Sequence, residues 1–362
     1  MALPVVDPAD YDRQLQIKQQ RITEQFANFN PPPVEVFKSP TSHYRMRAEF
    51  RVWHDEDDLY YVMFKPGDKH TRFKVESFPV VSETIENTMF RLLDLIRPVP
   101  ALRHRLFQVD FLSTLSGELL VTLLYHRPLD EAWQTEARAL KQQLGIQLIG
   151  RSRKSRILLD QDFVLEQMAI NGRNYTYKQV ENSFSQPNGE VCRHMIHWAL
   201  DATQAAGGDM VELYCGNGNF TLPLAQNFNR VVATEISKTS VHAAQYNIEA
   251  NAIENVDVVR ISSEEFSQVL NGSLEKRRTR HLNLDACNFT TVLVDPPRAG
   301  LDDNTVQQVQ SYEHILYISC NPDTLYQNLE QICQTHRIER FALFDQFPYT
   351  DHLECGVYLT RR

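Results

Sequence analysis

The sequence lacks cysteine throughout its N-terminal half: the first of its six cysteines is Cys192, and none belongs to a C-x-x-C pair. An iron–sulfur site or a zinc ribbon with cysteine ligands is therefore excluded from that half. The sequence has no run of about 18 apolar residues, and its N-terminus lacks the basic and apolar regions of a signal peptide. We expect a cytoplasmic protein with reduced cysteines, and we expect no metal site, no membrane contact and no protein partner.

The sequence also lacks an overall positive charge, since its formal net charge is −9. The imbalance is local: residues 1–180 carry 24 Lys and Arg against 23 Asp and Glu, a net +1, whereas residues 181–362 carry 13 against 23, a net −10. Basic clusters occur at Arg45–Arg51, Arg151–Arg156 and Lys276–Arg280. Arginines interleaved with aromatic residues suit phosphate contact and base stacking, although each cluster alone fits a solvated strand or loop equally well.

The organisation of the chain indicates two domains, which a length of 362 residues suits. Residues 9–28 predict a polar helix that ends before three consecutive prolines. A mixed α+β pattern follows, and its rhythm changes after the polar segment Glu181–Asn188. We therefore predict an N-terminal α+β RNA-binding domain over residues 1–180 and a second domain over residues 181–362. The N-terminal elements are predicted as strands Arg45–Trp53, Leu59–Phe64, Leu106–Leu112 and Leu119–Tyr125, and helices 82–96 and 131–144.

The second domain alternates helical and short apolar segments, which is typical of a parallel sheet covered by helices on both faces. The last two apolar stretches, 339–347 and 355–360, have no helix between them and predict an antiparallel hairpin at one edge. The fold class is therefore α/β, with a Rossmann-like, mostly parallel, doubly wound sheet. The other predicted strands are 210–214, 230–235, 256–261, 291–295 and 314–319, and the predicted helices are 190–204, 219–227, 238–251, 263–270, 302–312 and 322–334.

A glycine turn between a buried strand and a helix marks a cofactor site. In Val211–Leu222, Gly216 and Gly218 permit a tight turn and close approach of backbone amides to a ligand. Glu235 ends the next strand about 20 residues on, where a carboxylate can accept hydrogen bonds from both ribose hydroxyls. The third glycine of a dinucleotide fingerprint is replaced by Thr221, so the pattern favours S-adenosylmethionine over a nicotinamide dinucleotide.

Cys320 ends a predicted parallel strand, where a thiolate would be placed to attack a substrate. A cysteine at a strand end is more often structural than catalytic, so its neighbours in the fold decide its role. Cys215 and Cys355 are rival thiols, but the first lies in the cofactor turn and the second opens the last strand, so we interpret both as packing residues. An ordinary thiol is only a few per cent ionised at pH 7, and we expect its surroundings to activate Cys320.

Two carboxylates complete a chemistry that suits a carbon target. Asp295 ends a buried strand and begins Asp-Pro-Pro-Arg298, whose arginine replaces the aromatic residue found in enzymes that methylate exocyclic amines. C5 of a pyrimidine becomes nucleophilic when a thiolate adds to C6, which assigns that step to Cys320. A base must then remove the C5 proton, and Glu354, in an apolar context, is the candidate.

Five motifs, in order along the chain, resemble the RNA uracil-5-methyltransferase family, and the resemblance covers nearly the whole chain. The absence of cysteine before Cys192 favours the tRNA branch over ribosomal relatives, several of which carry a four-cysteine iron–sulfur site. The stretch Tyr44–Arg51 also resembles that branch and is expected to form an RNA surface. The motifs are Phe184-Ser-Gln-Pro-Asn188, Leu213-Tyr-Cys-Gly-Asn-Gly-Asn-Phe220, Asp295-Pro-Pro-Arg-Ala-Gly300, Ile318-Ser-Cys-Asn-Pro322 and His352-Leu-Glu-Cys355.

The resemblance implies a class I methyltransferase domain that uses S-adenosyl-L-methionine to methylate C5 of uridine 54 in the T-loop of tRNA. It implies Cys320 as the nucleophile and Glu354 as the proton acceptor. Two alternatives stay open: the same reaction on ribosomal or tRNA-like RNA, and an RNA-binding protein that folds tRNA and whose catalysis is secondary. The residues that it implies as contacts of S-adenosylmethionine are Gln186, Tyr214, Asn219, Glu235 and Asp295.

Overall fold

The computed structural model describes residues 6–64, 67–68 and 71–362, so residues 1–5, 65–66 and 69–70 of the predicted first domain lie outside the described residues. The chain divides into two compact units. The first comprises the residues up to Pro8 together with Pro40–Gln167 and Gln179–Gly189, and the second comprises Ala9–Ser39, Met168–Lys178 and Glu190–Arg362. Among the described residues, no helix is long and apolar enough to cross a membrane.

The elements of the described residues are numbered in chain order. The strands are β1 (Glu35–Phe37), β2 (Arg47–Asp55), β3 (Asp58–Phe64), β4 (Arg72–Lys74), β5 (Leu106–Ser113), β6 (Leu119–Tyr125), β7 (Gln147–Ser152), β8 (Ser155–Leu158), β9 (Phe163–Ile170), β10 (Arg173–Val180), β11 (Asp209–Leu213), β12 (Arg230–Glu235), β13 (Val256–Arg260), β14 (Phe289–Val294), β15 (His314–Ser319), β16 (His336–Phe344) and β17 (Glu354–Arg361). The α-helices are α1 (Tyr11–Phe26), α2 (Glu83–Ile96), α3 (Pro100–Arg103), α4 (Glu131–Leu144), α5 (Gly189–Thr203), α6 (Thr221–Leu224), α7 (Lys238–Ala250), α8 (Ser263–Leu270), α9 (Asp303–Val309) and α10 (Pro322–Ile332).

The first unit is built on a seven-stranded sheet with the order β4-β3-β2-β5-β6-β7-β8. Its strands pair antiparallel except β6 and β7, which the connection through α4 makes parallel. Along β2, Ala48, Phe50 and Val52 are buried while Glu49 and Arg51 are exposed, so one face packs on the core and the other faces water. The predicted α+β character of this region is confirmed, and the side chain of Ser82 caps α2 by accepting a hydrogen bond from Ile85 N.

The second unit is built on an eight-stranded sheet with the order β1-β16-β17-β15-β14-β11-β12-β13. Strands β11 to β15 are parallel, as the alternating pattern predicts. Every residue of β11 is buried, because helices cover both faces of a parallel sheet. The carboxyl ends of β11, β12, β14 and β15 therefore meet along one edge, where open α/β sheets bind ligands. The Rossmann-like fold class is confirmed.

The predicted closing hairpin is confirmed as an antiparallel pair, but its position in the sheet differs from the prediction. Strand β17 lies between β15 and β16, and it pairs antiparallel with both. Strand β16 is not the edge either, because the short strand β1 pairs with it in parallel. The sequence gives no signal for β1, since a three-residue strand is too short to show alternation.

Helix α1 packs in the second unit, which differs from the prediction that residues 1–180 form one domain. The reason is its apolar stripe. Tyr11, Leu15, Ile22 and Phe26 are buried in the same hydrophobic core as strands β11, β14 and β15. Their spacing of four, seven and four residues keeps one face of the helix toward that core. The segment α1 to β1 thus belongs structurally to the parallel sheet.

Candidate active site

The predicted functional side chains of the second unit follow or end neighbouring strands at one edge of the sheet. Tyr214 follows β11 and Glu235 ends β12. Asp295 follows β14 and Cys320 follows β15. Glu354 begins β17, whose antiparallel direction brings its first residue to the same edge. The topology therefore places five residues that are distant in sequence at one edge.

The turn after β11 is built by unusual backbone angles. Tyr214 has a positive φ of 65°, a conformation that costs energy for a residue with a Cβ atom. Gly218 has a φ of 86°, and a Cβ atom there would lie 2.4 Å from Leu222 Cδ1. A Cβ atom on Gly216, whose φ is 57°, would meet nothing within 4 Å, so this side of the turn is open. The two glycines thus serve different needs, close helix packing and an open approach.

The polar groups around this turn fit S-adenosylmethionine. The Glu235 carboxylate accepts hydrogen bonds from Gly216 N at 3.0 Å and Ser237 N at 2.7 Å, which leaves lone pairs for two hydroxyl donors. Asn219 is fixed because its backbone oxygen accepts from Tyr177 Oη at 3.1 Å and its Oδ1 accepts from Cys192 Sγ at 3.3 Å. The Asn219 Nδ2 group is buried without a partner among the described residues. A buried amide without a partner is costly, and a ligand acceptor would satisfy it.

Cys320 directly follows β15, and Glu354 begins the adjacent strand β17. Strands β15 and β17 pair antiparallel with Ser319 opposite Cys355. Cys320 and Glu354 directly adjoin this pair, and the charge of Glu354 acts on the Cys320 thiol, so the two side chains lie near each other. Glu354 is buried, whereas Cys320 is partly exposed, so the thiol can be reached and the carboxylate is shielded from water.

The charges around Cys320 suppress its ionisation. Burial raises the pKa of Asp295 to about 7, and burial together with Asp295 raises the pKa of Glu354 well above its ordinary value. Burial and the charges of Glu354 and Asp295 raise the pKa of the Cys320 thiol to about 11, although the Arg298 guanidinium acts in the opposite direction. The expectation that its surroundings activate the thiol is therefore wrong for this arrangement of charges, because two carboxylates disfavour a third anion.

The loop after β14 and the loop after β15 are tied together by hydrogen bonds. Asn321 Nδ2 donates to the Arg298 backbone oxygen at 2.9 Å, and Thr324 Oγ1 donates to the same oxygen at 3.3 Å. The Arg298 side chain reaches His352, with 3.5 Å between Arg298 Nη2 and His352 Nδ1. Asp295, Cys320 and Glu354 therefore stand on three segments that contact one another.

The two rival thiols are shielded, and one predicted cofactor residue lies in the other unit. Cys215 and Cys355 are buried, and burial raises the pKa of each thiol. Gln186 belongs to the first unit, in the segment that precedes α5. The structure thus brings six predicted residues to the sheet edge of the second unit, and the place of Gln186 in a cofactor site stays a prediction. The six are Tyr214, Asn219, Glu235, Asp295, Cys320 and Glu354.

Glu212 is a buried carboxyl group near this edge that the sequence interpretation did not select. It lies in the middle of the sheet on β11, and its Oε2 has no partner among the described residues. Burial raises the pKa of Glu212 to about 8, and the charge of Asp295 acts in the same direction. The motif Glu-x-x-x-Gly-x-Gly could have identified Glu212, because it places this carboxyl group directly before the glycine turn of the cofactor site.

Comparisons with known proteins agree with this geometry. The sequence profile of the family described as tRNA (Uracil-5-)-methyltransferase matches residues 10–362. A protein of Shewanella loihica named tRNA/tmRNA (uracil-C(5))-methyltransferase is 55% identical over 366 residues, which cover 100% of both chains. A protein of Chromohalobacter salexigens with the same name is 57% identical over 367 residues, which cover 100% of this chain and 98% of that protein.

A solved structure shows the same fold. The crystal structure of Pyrococcus abyssi tRNA (uracil-54, C5)-methyltransferase in complex with S-adenosyl-L-homocysteine superposes with a TM-score of 0.72, at 21% identity. The match covers 97% of this chain and 83% of that one. The family resemblance deduced from the five motifs is confirmed by the profile and the relatives together. The chain belongs to the tRNA (uracil-5-)-methyltransferase family.

Proposed function

We propose that the protein methylates C5 of uridine 54 in the T-loop of tRNA through a covalent adduct between Cys320 and C6. Cys320 first loses its thiol proton to solvent; its sulfur then bonds to C6, and the electrons of the C5=C6 bond move to C5. When bound, S-adenosylmethionine supplies the methyl group that C5 takes. Glu354 then accepts the C5 proton, and the electrons of that C–H bond restore C5=C6 as the sulfur leaves.

The nearness of Cys320 and Glu354, at the adjoining ends of β15 and β17, is the observation that supports this mechanism most strongly. The nucleophile and the base act on adjacent ring atoms, so they must approach one pyrimidine from a short distance apart. A raised pKa also suits Glu354, because a base whose pKa is near the working pH accepts a carbon-bound proton more effectively than an ordinary carboxylate. Burial first, and then the charge of Asp295, raise the pKa of Glu354.

S-adenosylmethionine is held, in this proposal, by the residues around the turn after β11. Glu235 accepts the ribose hydroxyls, and the amide of Asn219 donates from its buried position. Tyr214, whose hydroxyl group contacts Ser263 Oγ at 2.8 Å, lines the turn, and Asp295 lines the next strand end. Gln186 completes the proposed set.

The RNA surface is assigned to the first unit, on the exposed face of its sheet. Three cations there lie over aromatic rings: Arg51 at 3.9 Å from the Phe107 centroid, Arg72 at 3.9 Å from Trp53, and Lys74 at 4.9 Å from Tyr60. Stacked guanidinium and aromatic groups suit unpaired bases and their phosphates. This surface supports the predicted RNA-binding role of the N-terminal region. From the stretch Tyr44–Arg51 it includes Arg51, whereas Tyr44 and Phe50 are buried and do not offer their rings to a base.

The proposal is tested by locating the methyl group. Incubation with labelled S-adenosylmethionine and an unmodified tRNA transcript is expected to place 5-methyluridine at position 54, read by mass spectrometry of nuclease fragments. A transcript with cytidine at position 54 is the matched control and should stay unlabelled. Label at another uridine would contradict the T-loop assignment, and label on a purine would contradict the chemistry.

A second substrate is favoured by the names of the relatives, which include tmRNA as well as tRNA. We propose that tmRNA is methylated at the corresponding uridine, because the same loop fold would present it. Competition among tRNA, tmRNA and ribosomal RNA transcripts in one reaction is expected to rank the first two above the third. Preferential methylation of ribosomal RNA would contradict this ranking.

A further inference from the structure

Helix α1 contacts both segments that carry the proposed catalytic residues. Lys18 Nζ donates to Asp345 Oδ1 at 2.6 Å and to the Phe347 backbone oxygen at 2.8 Å. Asp345 is the first residue of the β16–β17 loop, Asp345–Leu353, and Glu354 directly follows that loop. Further along the helix, Gln25 Nε2 donates to Asp323 Oδ1 at 2.9 Å, three residues after Cys320. One helix therefore links the approaches to the nucleophile and to the base.

The hold on the β16–β17 loop extends over most of its length. Gln14 Nε2 donates to Asp345 Oδ2 at 3.0 Å, and Gln14 Oε1 accepts from Tyr349 N at 3.4 Å. Arg21 Nη1 donates to the Asp351 backbone oxygen at 3.2 Å. Positions 14, 18 and 21 lie on one face of the helix, since they are four and three residues apart. This face binds the loop at positions 345, 347, 349 and 351.

The ion pair in the middle of this face is not explained by stability. Lys18 is 5% exposed and Asp345 is 0% exposed, and burial lowers the pKa of Lys18 although Asp345 acts to raise it. A buried ion pair is often no more stabilising than apolar residues of the same volume. The helix already has apolar residues at its other buried positions, so an aliphatic side chain would fit the pattern. The pair instead fixes the direction of the loop through directed hydrogen bonds.

We propose that the Lys18–Asp345 pair is a positioning device that aims Glu354 at the C5 proton of the adduct. The inference rests on the proposed function, because it assigns the pair to one step of that mechanism. Lys18 is buried and binds the loop at Asp345 and Phe347, so its proposed action is through the loop. Removing it should slow proton removal and sulfur release more than addition and methyl transfer.

The test uses the full chain with Lys18→Met, and with Lys38→Met as the matched control. Lys38 Nζ pairs with Asp12 Oδ1 at 2.8 Å, and both of these side chains are exposed. With tRNA and S-adenosylmethionine, Lys18→Met is expected to accumulate a methylated protein–RNA adduct on denaturing gels and to lose turnover about 10-fold to 100-fold. Lys38→Met should behave as the wild type.

A second variant keeps the test valid if Lys18→Met leaves Asp345 as a lone buried charge and unfolds. Lys18→Met with Asp345→Leu removes both charges, which a folded core tolerates better. It should melt near the wild-type temperature, bind S-adenosylmethionine normally and still accumulate the adduct. Normal turnover in this double variant would overturn the proposal, as would a loss of turnover without accumulated adduct.

Glu354→Gln serves as the reference that separates the two proposals. If Glu354→Gln accumulates adduct and the Lys18 variants do not, the positioning role fails and the mechanism stands. If Glu354→Gln accumulates none, the mechanism fails and the positioning role fails with it. Adduct accumulation in Glu354→Gln and in the Lys18 variants supports both the mechanism and the positioning role, provided that Cys320→Ala abolishes the adduct.

Discussion

Two buried glutamates, one in each unit, have opposite electrostatic surroundings. Glu181 in the first unit accepts hydrogen bonds from Arg151 and Arg156 at 2.6 to 3.1 Å and from Thr122 Oγ1 at 2.9 Å. Burial opposes its ionisation, but these partners outweigh burial and lower the pKa of Glu181. Glu354 is buried to a similar degree, 3% against 7% exposed, and faces Asp295 rather than a cation. Its pKa is raised instead.

In the proposed mechanism, the difference separates a structural carboxylate, Glu181, from a catalytic one, Glu354. Glu181 is held as an anion and has no reason to exchange protons near neutral pH. Burial and the charge of Asp295 disfavour the Glu354 anion, so accepting a proton from a substrate lowers the free energy of this group. Strongly perturbed pKa values cluster at catalytic sites, which supports the proposed role of Glu354. Burial alone does not distinguish the two glutamates, but their charged neighbours do.

The largest expected effect is on turnover. Glu354→Gln should lower kcat by about 10²-fold to 10⁴-fold, because general base catalysis contributes that much and an amide cannot accept the proton. Glu181→Gln is the matched control and should leave kcat near the wild-type value when assayed at a temperature where it stays folded. Methyl incorporation into a tRNA transcript measures both, and equal losses in the two variants would erase the distinction.

The free energy of unfolding should fall in Glu181→Gln rather than in Glu354→Gln, the reverse of the order expected for kcat. Glu181→Gln should lower the free energy of unfolding by about 2–3 kcal/mol, because it leaves two arginines without their common carboxylate. The penalty should shrink as pH falls below the ordinary glutamate range, since a lowered pKa stabilises only where the unfolded carboxyl is ionised. Denaturant titration at about pH 7 and pH 4 measures it. An unchanged midpoint at both values would contradict the account.

The pH profile should follow the raised pKa values. Asp295 has a pKa of about 7, and the pKa values of Glu354 and Cys320 are also raised. Since Glu354 and Cys320 must lose their protons to act, kcat/KM should rise as pH increases from about 6 to 9. An ordinary carboxylate would give a plateau above about pH 5. A flat profile across this range would show that Asp295, Glu354 and Cys320 are not protonated in the free enzyme.

Glu354→Gln should also stabilise the protein at neutral pH. A carboxyl with a raised pKa costs stability above the pKa of its unfolded form, and the cost grows until pH passes the folded pKa. The variant should therefore gain about 1–2 kcal/mol at pH 7 and little at pH 4. Thermal unfolding at the two pH values checks this. A loss of stability at pH 7 would mean that Glu354 is paired in the folded protein.

The smallest expected effect concerns Arg298. Its guanidinium lowers the pKa of Cys320 against the two carboxylates, so Arg298→Met should slow alkylation of Cys320 at pH 8. The side chain is exposed and solvent screens its charge, so the change should be about twofold to fivefold. Mass spectrometry of the Cys320 peptide measures the rate, with Cys333 alkylation as the internal control. Faster alkylation of Cys320 would contradict the stated role.

The strands that carry the site could be predicted because their signals are local. The sequence predicts strands that end at Asp295 and directly before Cys320. These predicted ends lie within one residue of the observed ends of β14 and β15. The parallel order of these strands then follows from alternation with helices. The meeting of Glu354 with Cys320 depends on the antiparallel insertion of β17 next to β15, which no local pattern encodes.

Other features could not be predicted for specific physical reasons. The sequence predicts α1 only as a polar helix, because its buried stripe includes Lys18. The partner of Lys18, Asp345, lies 327 residues away. Strands β7 to β10 are also absent from the prediction. Strand β8 is mostly exposed and lacks a clear alternation, whereas β9 buries every second residue and did carry a local signal. The suppressed ionisation of Cys320 also depends on Asp295 and Glu354, whose charges converge only in the folded chain.

The mapping of the adduct in Glu354→Gln tests the central claim most directly. The variant is incubated with tRNA and S-adenosylmethionine, digested with nuclease and protease, and the cross-linked fragment is sequenced by mass spectrometry. The account predicts one fragment, in which the sulfur of Cys320 is joined to C6 of a methylated uridine from position 54. A cross-link at Cys215 or Cys355, or a variant that turns over without forming any cross-link, would contradict it.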